Sequence, residues 1–210
     1  MSLALQSPRR SALSLLWQED FRRAGGYTSI AKQGGVIVGT VLGINDGWLS
    51  LGGAGQISYS SQRIGGLTEI SFGAWVKDTN GAGYQSILTS TDWVTSGFAL
   101  HTPNAWANLN MRIAISGTVR TVSTAFPGGC AFIVCTWESG EGIRGYVNGV
   151  ENGISAVYAG TVSQSVVSPL VVGSSDGSQY LAGKIKDPFI IGRQLSAAEV
   201  LALYNNSTLR

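Results

Sequence analysis

Charge is scarce in this chain. Asp, Glu, Lys and Arg supply 12% of its 210 residues, against about 25% in an average soluble protein. The formal net charge is +2. That is too little to hold a polyanion, so neither nucleic acid nor an anionic membrane surface is expected as a partner. Histidine occurs once, at His101, which leaves little for a His-dependent triad. There are two cysteines, Cys130 and Cys135, in the apolar run GCAFIVCTW. Five positions apart on a strand they point to opposite faces and cannot pair. Two thiols also make neither a disulfide framework nor a zinc site, so both read as small buried hydrophobes. No apolar run reaches the roughly 18 residues that a membrane span needs. The stretch from Ala12 to Trp17 is too short for a secretory signal, so no signal peptide is expected.

Catalytic patterns are missing too. Glycoside hydrolysis needs two carboxylates flanking the scissile bond, and no paired acidic run lies on a predicted strand. Glu138 and Glu141 fall in a glycine-rich turn and read as solvated. No phosphate-binding loop and no dinucleotide fingerprint is present. The chain reads as a non-enzyme, with no cofactor. Asp46, Asp92 and Asp176 lie in predicted loops. They are candidates for calcium with backbone carbonyls, although Asp at a turn usually caps its own backbone.

Glycine is abundant instead, at 29 residues, roughly twice its usual share of about 7%. From Gly35 onward it punctuates about a dozen short runs rich in Val, Ile, Thr and aromatics. Trp48 to Leu51 and Gln56 to Ser60 read as two separate strands. In TEISFGAWVKD, Ile70, Phe72, Ala74 and Val76 alternate with mostly polar neighbours, Trp75 excepted. That alternation marks a half-buried strand. Strands at this spacing predict an all-β fold, two antiparallel sheets packed as a sandwich over residues 34–210. The expected core includes Ile70, Phe72, Val76, Ile133, Val147, Val172, Ile185 and Phe189. Ser196 followed by Glu199 is a capping box that opens a short C-terminal helix. Asn148-Gly149 predicts a tight hairpin.

Residues 1–33 differ from the rest. Five basic residues among the first 32 face two acidic ones, a local net charge of +3. Leu13, Leu16, Trp17 and Phe21 form the apolar side of a predicted short helix, stopped at Gly25-Gly26. Arg9, Arg10, Arg22 and Arg23 sit at its rim. The segment reads either as a helix packed on the chain's own sandwich or, the reading preferred here, as an arm that docks on another protein subunit, a second copy of the chain among the candidates. The low charge and a mean hydropathy of +0.16 agree equally with a surface partly covered by partners and with one whose polarity comes from Ser, Thr, Asn and Gln.

Several landmarks fall in one order: ISFGAWVKD, then IVCTW, then GYVNGVENG, then LVVGSSDG, then YLAGKIKDPFIIGRQLSAAEVLALYN. This succession resembles the laminin-G-like, concanavalin-A-like jelly-roll domains, from about Ile44 to Asn206. Where that family often has two acidic residues after the closing strand's Gly-x-Ile, this chain has Lys186 and Asp187. Similar domains serve bacteriophage virions as decoration, head-fibre or tail components. The resemblance therefore implies a non-catalytic virion subunit, made in the host cytoplasm. The alternative is a lectin-like module that binds glycans. For that role Asp92, Trp93, Asn104 and Trp106 are the candidates, because sugars stack on exposed aromatic faces beside Asn and Asp.

Overall fold

The computed structural model describes residues 35–60, 64–77, 83–90, 95–103, 107–164, 169–175 and 178–206, and residues 15–18 as a backbone strand. Thirteen strands and one helix occur among them. The strands are β1 (Leu15–Gln18), β2 (Val36–Asn45), β3 (Trp48–Tyr59), β4 (Glu69–Lys77), β5 (Gln85–Ser90), β6 (Phe98–Thr102) and β7 (Asn108–Ile115). They continue with β8 (Thr118–Ala125), β9 (Ala131–Glu138), β10 (Glu141–Val147), β11 (Val150–Tyr158), β12 (Leu170–Val172) and β13 (Ala182–Ile191). The helix α1 (Ala197–Asn206) closes the chain. No helix among the described residues is long and apolar enough to cross a membrane.

Every strand pairing is antiparallel, along the path β11-β10-β9-β4-β13-β3-β12-β5-β6-β7-β8. The path folds into two layers at β3. Leu49–Gly52 of that strand pair with β13, and Ile57–Tyr59 pair with β12. Between the two stretches lies Gly53-Ala54-Gly55-Gln56, with Gly53 at φ 78°, a conformation glycine adopts without steric cost. The glycine run thus bends one long strand across two sheets where two separate strands were expected.

The layers meet through their apolar faces. The rings of Phe72 (β4) and Phe98 (β6) lie 4.3 Å apart. At Gly145 of β10 a side chain would run into Thr124 and Met111 of the opposite layer. All eight expected core residues are buried. Cys135 is buried and Cys130 is exposed, and neither is in a disulfide. The expectation of two buried thiols therefore holds for one of them. Cys130 immediately precedes β9, outside the face alternation that buries Cys135.

The outer face of β4, β9 and β13 is also apolar, which explains Trp75. Trp75, Phe132, Phe189, Leu195 and Val200 form a second buried cluster, roofed by α1. Tyr204 of the helix stacks on Trp75 at 5.6 Å between ring centroids. The capping box forms as expected: the Ser196 N–H donates to Glu199 Oε2 (2.9 Å), and the Glu199 N–H donates to Ser196 Oγ (3.3 Å). Leu195 and Val200, flanking that box, are both buried in the cluster and act as a hydrophobic staple.

Arg193 forks onto both Glu199 oxygens. This pairing, with the Ser196 bonds, holds the Glu199 carboxyl down to about 2. The contribution is therefore present above the ordinary carboxylate range and is lost as pH falls through about 2. The Glu199 side chain is 43% exposed, so solvent screening limits the pair to about 1 kcal/mol. Arg193→Ala is expected to lower stability by about that amount and to loosen α1. Loss of Tyr204–Trp75 contact signals in NMR spectra would report it, and an unchanged urea midpoint would refute it.

The arm corrects one expectation. Leu15–Gln18, predicted within a helix, form a strand that pairs with Phe189–Ile191 of β13 in the same chain. The reason is an open edge. β3 pairs only with Ala182–Ile185, which leaves the second half of β13 with main-chain groups that need partners. For Leu16 and Trp17 only the backbone is described. Arg9, Arg10, Leu13, Phe21, Arg22 and Arg23 lie outside the described residues.

Candidate functional site

The outer face of the second layer carries the polar groups. Strands β5 to β8 turn Leu88, Leu100, Met111 and Val122 toward the core. Alternation then places His101, Asn110 and Ser123 in one row on the opposite face, joined by direct strand pairing, and a bulge between Ser86 and Leu88 brings Ser86 beside His101. Arg112 stands in the next row, paired with Ala99 and Thr121. Ser123 Oγ donates to Asn110 Oδ1 at 2.7 Å.

Tyr84, immediately before β5, stacks on His101 with ring centroids 6.2 Å apart. His101 is only 3% exposed, whereas Tyr84 is 49% exposed. The tyrosine therefore offers an aromatic face at the surface, and the imidazole lies beneath it. Burial first, and then the positive charge of Arg112, push His101 down to about 4. At neutral pH it is an uncharged hydrogen-bonding ring. Burial lowers the Arg112 pKa as well, but a guanidinium stays protonated. The site thus joins an aromatic platform, amide and hydroxyl groups and one cation. This donor set suits polyhydroxylated or weakly anionic ligands.

Sheet geometry sorts the loops predicted to bind. Asp92, Trp93, Asn104 and Trp106 lie outside the described residues. The strand ends that flank them are described. The connection holding Asn104 and Trp106 joins Thr102 to Asn108, at the end of the sheet where β5 begins and Tyr84 lies. The connection holding Asp92 and Trp93 joins Ser90 to Phe98, at the opposite end of β6. Tyr84, Asn110 and Arg112 were not among the predicted site residues. The one available signal was the alternation in NLNMRIAI, which turns Asn110 and Arg112 to the face opposite Met111 and Ile113.

Other predicted groups are placed elsewhere. Asp46 is exposed in the β2–β3 turn at φ 51°. Asp176 lies outside the described residues. Among the described residues no three His, Cys, Asp or Glu side chains gather as metal ligands. Glu138 and Glu141 flank the Ser139-Gly140 turn. Glu141 accepts from Gln194 Nε2 at 3.2 Å and lies 3.6 Å from Arg144, so it is part of a structural network. Lys186, in the family's acidic position, is buried with its ammonium 5.8 Å from the centre of the Trp48 ring.

Comparison with known proteins follows the same outline. Residues 51–201 match the family model described as the concanavalin A-like lectin/glucanases superfamily. A search of curated proteins found no match. Among solved structures, the botulinum neurotoxin serotype D ligand-binding domain, in complex with N-acetylneuraminic acid, superposes with a TM-score of 0.71 at 14% identity. The match covers 94% of this chain and 52% of that one. The binding domain of botulinum neurotoxin DC in complex with SialylT superposes with a TM-score of 0.62 at 12% identity, over 81% of this chain and 46% of that one. The receptor-binding domain of botulinum neurotoxin D gives 0.68 at 14% identity, over 94% and 54%. This chain thus spans about half the length of these neighbours, and at such identity the likeness is one of fold.

Proposed function

Because the chain belongs to the concanavalin A-like lectin/glucanases superfamily, we propose that it is a lectin-like module that binds glycans without cleaving them. The observation that carries this reading is the half-exposed Tyr84 ring seated on His101 beside the row of Asn110 and Ser123. A sugar's apolar face stacks on such a ring while its hydroxyls meet the amide and hydroxyl groups. Arg112 favours an acidic sugar, and the neighbours solved with N-acetylneuraminic acid and SialylT support testing sialylated glycans first. The engagement of Glu141 with Arg144 and Gln194, and of Glu69 with the Gln194 N–H, supports binding without hydrolysis.

The test is a glycan array followed by titration of the best ligand. Tyr84→Ala and Trp106→Ala, which alter one end of the sheet, are expected to weaken binding at least tenfold, about 1.4 kcal/mol. Trp93→Ala, at the other end, is expected to leave it within twofold or so, and the oligosaccharide is recovered intact. An array with no binder, or binding indifferent to Tyr84→Ala in a folded protein, would refute the proposal.

A second reading, a subunit of a larger particle such as a virion, is supported by a different observation. Strand β2 presents apolar side chains to solvent, as a partner-facing element does. The arm adds less to this reading than its composition promised, because Leu15–Gln18 pair within their own domain.

A further inference from the structure

Charge is scarce in this chain, yet three of its four lysines stand together. Lys77 of β4 and Lys184 of β13 are direct cross-strand partners, and Lys186, opposite Trp75, follows two residues along on the same outer face. The Trp48 ring of β3 touches both ends of the group. The Lys77 ammonium lies 4.4 Å and the Lys186 ammonium 5.8 Å from its centre. Lys186 is only 3% exposed, while Lys77 and Lys184 are half-buried. Like charges directly opposite each other weaken a sheet, and a buried ammonium is costly without a counter-charge. An indole attracts a cation but cancels none of its charge. Among the described residues neither Lys77 nor Lys186 is ion-paired; the carboxylates there go to Arg144 and Arg193. Lys186 also stands at a position that is often acidic in the family, so the local charge is reversed.

We infer that Lys77, Lys184 and Lys186 form a site for a multiply charged tetrahedral oxyanion, phosphate or sulfate. Three ammoniums gathered on one face carry more charge than a single carboxylate balances. Each is a compact point charge with three rotatable donors, without the planar fork that matches a carboxylate. A tetrahedral oxyanion has enough acceptor oxygens to meet several such donors at once. The half-buried Lys77 and Lys184 leave it a way in from solvent, and the indole fixes where the Lys77 and Lys186 ammoniums stand. This inference does not rest on the glycan reading, because β4 and β13 belong to the first layer and the Tyr84–Arg112 face to the second.

Sulfate and phosphate stabilise proteins in general by exclusion from their surface, so site binding is read from NMR shifts against sodium chloride of equal ionic strength. Partly solvated ion pairs are individually weak. A dissociation constant on the order of 1 mM is therefore expected, and titration of the full chain with inorganic phosphate or sulfate from about 0.1 to 20 mM covers it. Saturable shifts are expected at the amides of Lys77, Lys184 and Lys186 and at the Trp48 indole. Lys77→Gln and Lys186→Gln are each expected to raise the dissociation constant at least about fivefold. Arg120→Gln removes the same charge from a cation that stacks elsewhere, on Tyr158, and is expected to leave it within about twofold. If Lys186→Gln does not fold, the half-buried Lys77 decides the matter. Shifts that never saturate overturn the inference, as does binding indifferent to Lys77→Gln in a folded protein. Equal weakening by Arg120→Gln also overturns it, because the anion would then follow net charge rather than a site.

Discussion

Trp137→Ala is expected to cost about 3–5 kcal/mol. The side chain is fully buried in the main core, and its strand β9 lies between β4 and β10 in the interior of the first layer. Truncation removes apolar surface and leaves a cavity that two hydrogen-bonded neighbours cannot collapse to fill. Trp137→Phe separates two contributions. The indole Nε1 is buried without a hydrogen-bond partner, a condition that costs about 1–3 kcal/mol. Phenylalanine removes that orphan donor and gives up less volume. Its net loss should therefore be less than about 2 kcal/mol, well below that of alanine. Urea denaturation of the three proteins measures the order. An alanine variant within about 1 kcal/mol of the parent would mean that Trp137 does not face a packed core.

Acidification is expected to destabilise the domain by about 3 kcal/mol between pH 7 and pH 4 through His101 alone. Burial and the neighbouring Arg112 lower this imidazole from 6.5 to about 4. The sign follows from which state takes up the proton. Below 6.5 the unfolded chain binds a proton at this position while the folded chain refuses it, down to about 4. The stability owed to the neutral ring is complete above 6.5 and is lost as pH falls through that interval. His101→Gln removes the titration and keeps a polar side chain of similar reach. Denaturation of parent and variant at pH 7 and pH 4 gives the difference directly, because the carboxylates titrate in both. The Arg193–Glu199 pair does not interfere, since it is present in both proteins and cancels in the difference. An equal loss in parent and variant would show that His101 is not held neutral beneath Tyr84.

The core was legible because period-2 alternation is a local signal. Ile70, Phe72 and Val76 must share a face once the segment is extended, whichever strands lie beside it. The capping box at Ser196 and the Asn148-Gly149 turn were legible for the same reason. Each is satisfied by atoms within a few residues, and Asn148 at φ 53° and Gly149 at φ 81° take the conformations their sequence favours. β11 was not anticipated as a strand. VENGISAVY reads as polar and interrupted, and its mostly exposed residues put little hydrophobic pattern into the sequence.

The candidate site was legible only in part. Trp93 and Trp106 drew attention as tryptophans in loops, but a linear reading could not tell which end of the sheet each loop occupied. Tyr84 and His101 meet because β5 and β6 pair, and Arg112 joins them because β7 pairs next in line.

Composition, alternation and local turn chemistry therefore determined the fold class, the core and the cap helix by themselves, since each depends on contacts between near neighbours in the chain. Tertiary structure decided the rest. Strand pairing assembled the Tyr84–His101–Arg112 face from β6, β7 and the residue that precedes β5. The open half of β13 turned Leu15–Gln18 from an expected helix into a strand, because unpaired main-chain groups on a sheet edge outweigh the weak helix preference of a short segment. The length of β3, bent at its glycines, placed β2 at an edge where its apolar residues face solvent. Pairing, edges and faces are relations between segments distant in sequence, and only the folded chain fixes them.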